Sequence, residues 1–121
     1  MNQLLNSISI NSEDLEQLLK KRTAKNVHFV LIDVRENMEY EMGHIKGVDL
    51  LRPTSEFQDW AKTIIDEYKD QIIILTCRSG NRSGRLQRVM KANGHPHVIN
   101  HAGGILSYHG KIEKGPYNAT Y

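Results

Sequence analysis

Two unbroken apolar runs, Phe29-Val30-Leu31-Ile32 and Ile72-Ile73-Ile74-Leu75, stand out against a chain whose other apolar positions recur at helical spacing. Runs of this length bounded by polar residues predict strands buried on both faces, as in a parallel sheet. Ser7-Ile8-Ser9-Ile10 alternates and predicts a short strand; Val48-Asp49-Leu50-Leu51 and Val98-Ile99 predict two more. Between these the period lengthens. Ser12, ahead of Glu13 and Asp14, is placed to cap a helix over 13–22, with Leu15, Leu18 and Leu19 as its apolar stripe and Lys20-Lys21-Arg22 at its C-terminal end. Residues 37–42 read as a short helix broken by Gly43. From Glu56 to Asp70, Phe57, Trp60, Ala61, Ile64, Ile65 and Tyr68 share one face, with Thr54 or Ser55 as the cap. A helix over 83–93 turns Leu86, Val89 and Met90 to the sheet and Arg85, Arg88 and Lys91 to solvent, with Gly94 closing it. Gly103-Gly104 turns the chain into a last short helix holding Ile105, Leu106 and Tyr108, and a loose tail is expected from Lys114. Strands alternating with helices in this way predict an α/β domain with a parallel sheet.

Length changes this picture little: 121 residues make one domain, with a core over about 7–110 and a tail over 111–121. The 16 Lys and Arg against 14 Asp and Glu give a charge of +2. A nucleic-acid partner, which calls for a strongly basic face, is not expected. No basic and apolar leader opens the chain and no apolar run approaches a membrane span, so a soluble cytoplasmic protein without a membrane partner is expected. The single cysteine excludes an internal disulfide and any C-x-x-C pair. The histidines fall at spacings that match no compact metal motif, and no metal site is expected.

That single cysteine carries the candidate chemistry. Cys77 ends the second apolar run, and Arg78-Ser79-Gly80-Asn81-Arg82 leads from it into a helix. A cysteine facing a helix start meets converging N–H groups and the positive end of the helix dipole. Both favour a thiolate, as do the neighbouring cations Arg78 and Arg82. A buried structural cysteine would not be followed by so polar a loop. A short loop also curls its amides toward one point, with Gly80 supplying any positive φ, so they can hold a negative charge on the sulfur.

Cys77-Arg78-Ser79-Gly80-Asn81-Arg82-Ser83 resembles the active-site loop of single-domain rhodaneses, sulfurtransferases that carry sulfur as a cysteine persulfide. Asp33-Val34-Arg35-Glu36 with Glu39-Tyr40-Glu41-Met42-Gly43-His44-Ile45-Lys46-Gly47 resembles a second signature of that family, and Asn100-His101-Ala102-Gly103-Gly104-Ile105 its closing glycine turn. The matches keep the family's order over about residues 30–108. Asp49 departs from the small apolar run usual there, and Tyr108 stands where the family often has tryptophan. The resemblance implies a rhodanese-like fold, a five-stranded mainly parallel sheet with helices on both faces. It implies thiosulfate sulfurtransferase activity through a Cys77 persulfide, without any other cofactor, the loop from Arg78 to Arg82 binding a small anionic sulfur donor. Thiosulfate or a persulfide is the expected donor, and cyanide or a thiol, such as glutathione or a thioredoxin-like protein, the expected acceptor.

Arg78 is expected in solvent beside the donor, and Arg82 folded inward to Glu39 or Asp33. Asp33, Arg35 and Glu39 are expected to tie strand, helix and loop together. His44 invites a Cys–His reading, but the resemblance implies a packing role. Two alternatives stay open. One is a non-catalytic sulfur carrier or docking module of the same fold. The other is a cysteine phosphatase or arsenate reductase, which generally places five residues between cysteine and arginine where this chain has four.

Overall fold

The computed structural model describes residues 3–118. After a 3-10 turn at Gln3–Asn6, the elements run β1 (Ser9–Ile10), α1 (Ser12–Thr23), β2 (Val30–Asp33), α2 (Asn37–Met42), β3 (His44–Ile45), β4 (Leu50–Leu51), a 3-10 turn Thr54–Glu56, α3 (Phe57–Glu67), β5 (Ile73–Thr76), α4 (Asn81–Ala92), β6 (Val98–His101), a 3-10 turn Ile105–Ser107, and β7 (Ile112–Glu113). Five strands form one parallel sheet, as expected, and its order is β1-β6-β5-β2-β4. The two apolar runs take the centre: Val30 to Asp33 lie level with Ile73 to Thr76, and all eight residues are buried.

Alternation along the central strands serves two cores. Ile73 and Leu75 join Val30, Ile32 and Val98 beneath α3 and α4, which contribute Trp60, Ile64, Leu86 and Met90. Leu31, Ile74 and Ile99 point the other way, under Leu15, Leu18 and Leu19 of α1. Each face therefore needs its helix, which is why unbroken apolar runs suit these strands. The register also puts the C-terminal ends of β5, β2 and β6 together at one edge, where the loop after Cys77 begins.

Several local expectations are corrected. Asn11, not Ser12, caps α1: its Oδ1 accepts from Asp14 N at 2.8 Å, and Asp14 returns a carboxylate to Asn11 N at 3.3 Å. Ser12 is thereby free to turn inward. Neither Thr54 nor Ser55 caps α3: Thr54 donates to the Val34 carbonyl and Ser55 to Glu36. Helix α4 opens at Asn81, two residues earlier than expected. Its buried face is Ser83, Gly84, Leu86, Gln87 and Met90, and Val89 is 38% exposed. Gln87 is buried because its amide donates to Ile8 O and Val98 O at 2.6 and 2.9 Å, which an apolar stripe could not reveal. The supposed tail supplies β7, which pairs antiparallel with β3 through Ile112–Ile45 and Glu113–His44. The end of that tail, residues 119–121, lies outside the described residues. Asp49 proves to be a strand-edge substitute: its Oδ2 accepts from Leu31 N at 2.8 Å and Arg22 at 2.6 Å.

Candidate active site

Strand β5 ends at Thr76, and Cys77 follows at the mouth of a loop that three residues turn into α4. Gly80 makes the turn at φ 94°, a left-handed conformation that disfavours side chains. A Cβ there would also sit 2.9 Å from the Gly103 amide nitrogen. The Gly103-Gly104 turn backs the loop, and a Cβ on Gly104 would overlap the carbonyls of Cys77 and Arg78.

That backing aims the loop's amides. Ile105 N donates to Cys77 O at 2.9 Å and Leu106 N to Arg78 O at 3.1 Å. Gly84 N and Asn100 Nδ2 donate to Gly80 O at 3.0 and 3.2 Å. The backbone N–H groups of Ser79, Gly80 and Ser83 are the ones directed at the sulfur. Gly80 N donates to Sγ at 3.1 Å, and the Ser83 hydroxyl lies 3.3 Å from it. Cys77 is 1% exposed. Burial by itself pushes the thiol up, but the Ser83 hydroxyl and the amides of Ser83, Gly80 and Ser79 outweigh it and hold the thiol below its ordinary range. The site favours a thiolate in a ring of fixed donors.

The flanking arginines divide as expected. Arg82 meets Glu39 of α2 in a two-point ion pair at 2.7 and 2.9 Å. The Arg82 hydrogen bonds hold Glu39 down to about 2. Arg78 is exposed and makes no ion pair among the described residues, and Ser79 and Asn81 are exposed beside it. Asp33 accepts from Arg35 through both carboxylate oxygens, and Arg35 reaches on to the carbonyls of Glu39 and Gly43 at 3.3 and 2.7 Å. This buried clamp ties β2 to α2 and the loop after it. His44 is scaffold: its ring stacks on Tyr40 at 3.7 Å and its Nδ1 bonds the Tyr40 carbonyl.

Three side chains of the site region were not singled out from the sequence. Ser83 lies three and seven residues before Leu86 and Met90, so helical period places it inward. Asn100 alternates with Ile99 and shares its face of the sheet with Val98, beneath α4. His101 is wholly buried, its Nε2 2.8 Å from Ser12 Oγ and its Nδ1 2.8 Å from Thr76 Oγ1. Only the parallel register of β5 and β6 with the start of α1 brings that network together.

A cleft of about 430 Å³ lies away from the loop, lined by Glu41, Arg52, Glu56, Asp59, Trp60 and Tyr117, among others. Among the described residues no group of His, Cys, Asp and Glu is arranged to hold a metal, and no helix is long and apolar enough to cross a membrane.

Residues 13–111 match the rhodanese-like domain family. The chain belongs to that family. Its rhodanese-like fold is matched by a rhodanese-like domain protein of Staphylococcus aureus, at TM-score 0.71 and 24% identity over 89% of this chain and 98% of that one. A rhodanese with anions from E. coli matches at TM-score 0.60 and 26% identity, over 73% of this chain and all of that one. Among curated proteins, YrkF of Bacillus subtilis, provisionally named a sulfur carrier protein, is 36% identical over 108 residues, 89% of this chain and 56% of its own length. A tRNA uridine(34) hydroxylase of Wigglesworthia glossinidia brevipalpis is 31% identical over 111 residues, 89% of this chain and 33% of its own. The rhodanese-like chain thus spans about half or less of the length of these curated relatives. Membership is consistent with sulfur transfer, and the cysteine such chemistry needs is present as Cys77.

Proposed function

We propose that this rhodanese-like domain moves sulfane sulfur through a persulfide on Cys77. The observation that carries the reading is the ring of donors on Sγ, with Gly80 N at 3.1 Å and Ser83 Oγ at 3.3 Å around a thiol held low. The Cys77 thiolate attacks the outer sulfur of a donor such as thiosulfate. A Cys77 S–S bond forms, the donor's S–S bond breaks, and sulfite leaves with that electron pair. The negative charge then rests on the outer sulfur of the persulfide, where loop amides aimed inward stabilise it. An acceptor thiolate or cyanide attacks that outer sulfur and regenerates the Cys77 thiolate. The donors that lower the thiol pKa favour the thiolate, which lessens the need for a general base. Arg78, exposed and without a countercharge among the described residues, pairs with the donor's anionic oxygens, while Arg82 is spent on Glu39 and holds the loop to α2.

The four-residue spacing between Cys77 and Arg82 favours sulfur over phosphate. The Gly80 amide already contacts Sγ, leaving the ring sized for one extra sulfur rather than a tetrahedral oxyanion. The name of the Bacillus subtilis relative favours a second reading, in which the domain loads sulfur on Cys77 and hands it to a bound protein without turning over small molecules.

The test is intact mass after incubation with thiosulfate in the absence of reductant. The wild type is expected to gain one sulfur atom, and Cys77→Ser to gain none and to form no thiocyanate with cyanide. A serine variant with full turnover would overturn the mechanism. Loading without multiple turnovers would select the carrier reading.

A further inference from the structure

Ser83 stands between two acceptors with one hydroxyl proton to give. Its Oγ lies 3.3 Å from Cys77 Sγ and 2.6 Å from Asn100 Oδ1. The Asn100 amide is not free to turn round and become a donor instead. Its Nδ2 bonds Gly80 O at 3.2 Å, and a flipped amide would set two carbonyl oxygens against each other. The neighbouring helix is shaped to admit this side chain: Gly84 is buried within α4, and a Cβ on it would press to 3.1 Å from Asn100 Nδ2. Glycine is a poor helix residue, so its presence here serves the space that the carboxamide occupies.

We propose that Asn100 is a positioning residue that competes with the Cys77 sulfur for the single Ser83 proton, restraining the thiolate and favouring the sulfur-loaded state. With Cys77 as a thiol, S–H donates to Ser83 Oγ and Ser83 O–H donates to Asn100 Oδ1. When the thiol ionises, its proton leaves to solvent and the Ser83 hydroxyl turns to the sulfur anion, so the bond to Asn100 is lost. When the thiolate takes sulfur from thiosulfate, its lone pair forms the new S–S bond and sulfite departs. The charge moves to the outer sulfur, the inner sulfur becomes a poor acceptor, and the Ser83 proton returns to Asn100. Thiol and persulfide therefore keep a hydrogen bond that the thiolate gives up. The loading half of this inference rests on the persulfide chemistry proposed above; the ionisation half does not.

The charged and titratable groups around Cys77 are Arg78 in the loop, Arg82 of α4 with its partner Glu39 of α2, the Asp33–Arg35 clamp at the end of β2, and His101 at the end of β6. None of them bonds Asn100, so its replacement leaves their partners in place.

The experiment is the rate of Cys77 alkylation by iodoacetamide against pH, which reads the thiol pKa directly. In Asn100→Leu and Asn100→Ala it is expected to fall by about half a unit, a threefold rise in the thiolate-to-thiol ratio. Gly84→Ala, which suits a helix and crowds the carboxamide, is expected to move it the same way if Asn100 fails to tolerate replacement. In a Ser83→Ala background the Asn100 change is expected to have no further effect. If Asn100 merely supported the loop, its loss would loosen the donors and raise the thiol pKa. A rise, or an equal shift without the Ser83 hydroxyl, overturns the proposal. The second readout is the persulfide-to-thiolate ratio at fixed thiosulfate and sulfite above the thiol pKa, expected to fall threefold in Asn100→Leu, the persulfide fraction falling with it. An unchanged ratio beside a lowered pKa overturns the loading bias. A wild type that never loads refutes the persulfide reading and leaves the alkylation result to stand by itself.

Discussion

Lowering the pH from 7 to 5 is expected to destabilise the domain through one imidazole. His101 is wholly buried where β5, β6 and the start of α1 meet, each ring nitrogen within 2.8 Å of a hydroxyl. A neutral ring suits this place, since one nitrogen donates and the other accepts. Burial pushes its pKa down from 6.5 to about 4. The unfolded chain therefore takes up a proton at a pH where the folded chain refuses it. The contribution is fully present above 6.5, shrinks as pH falls, and is gone below 4. Linkage over the whole interval is about 3 kcal/mol, and the loss between pH 7 and pH 5 is about 2 kcal/mol. For a domain of ordinary stability that is a large fraction. The assay is urea unfolding at pH 7, 6 and 5, comparing the wild type with His101→Gln, whose amide can reach a hydroxyl but does not titrate. The wild-type midpoint is expected to fall with unchanged slope, and the variant's to fall about 2 kcal/mol less over the same range. The Glu39 contribution enters only below its unfolded value of 4.5 and is common to both proteins. Parallel pH curves for the two proteins would refute the reasoning, because they would mean that His101 ionises alike in folded and unfolded chains.

Other expectations concern the loop. Arg78→Ala is expected to raise KM for thiosulfate with little change in unfolding midpoint, since the side chain lies in solvent; an unchanged KM would mean the donor is held elsewhere. Inserting one glycine between Gly80 and Asn81 widens the ring of amides and is expected to cut thiosulfate:cyanide activity at least tenfold, about 1.4 kcal/mol, in a coupled thiocyanate assay. In the parallel assay the wild type is expected to leave an aryl phosphate intact; ready cleavage would return the phosphatase reading. Gly104→Ala drives a methyl into the carbonyls of Cys77 and Arg78, in a left-handed conformation as well. It is expected to cost more than about 2 kcal/mol by chemical unfolding and to abolish loading of Cys77.

The central strands and the helices that cover them were legible because local period reports burial: Ile73 to Leu75 and Val30 to Ile32 leave no polar face, and Leu15, Leu18 and Leu19 form one stripe. Cys77 was legible because a lone cysteine before a glycine-bearing cationic loop has few other uses, and its neighbours in sequence also supply its donors. The cationic loop points Arg82 to either of two acids, Glu39 or Asp33, and the structure pairs it with Glu39 of α2. Where partners lie far apart in the chain, pattern was silent. Ser12 and His101 stand 89 residues apart, Ser83 and Asn100 17, and each pair is made by a helix packing on β6 rather than by spacing. Val89 was misplaced because Gln87 buries a polar side chain that only the Ile8 and Val98 carbonyls justify. The pairing of Ile112–Glu113 with His44–Ile45 joins two-residue strands, too short for any period to show. Sequence by itself determined the main strands and helices and marked Cys77 with its loop as the candidate site, because both depend on neighbours along the chain. Tertiary structure alone decided which buried polar groups satisfy one another, because a hydrogen bond forms by position in space and leaves no periodic trace in the order of residues.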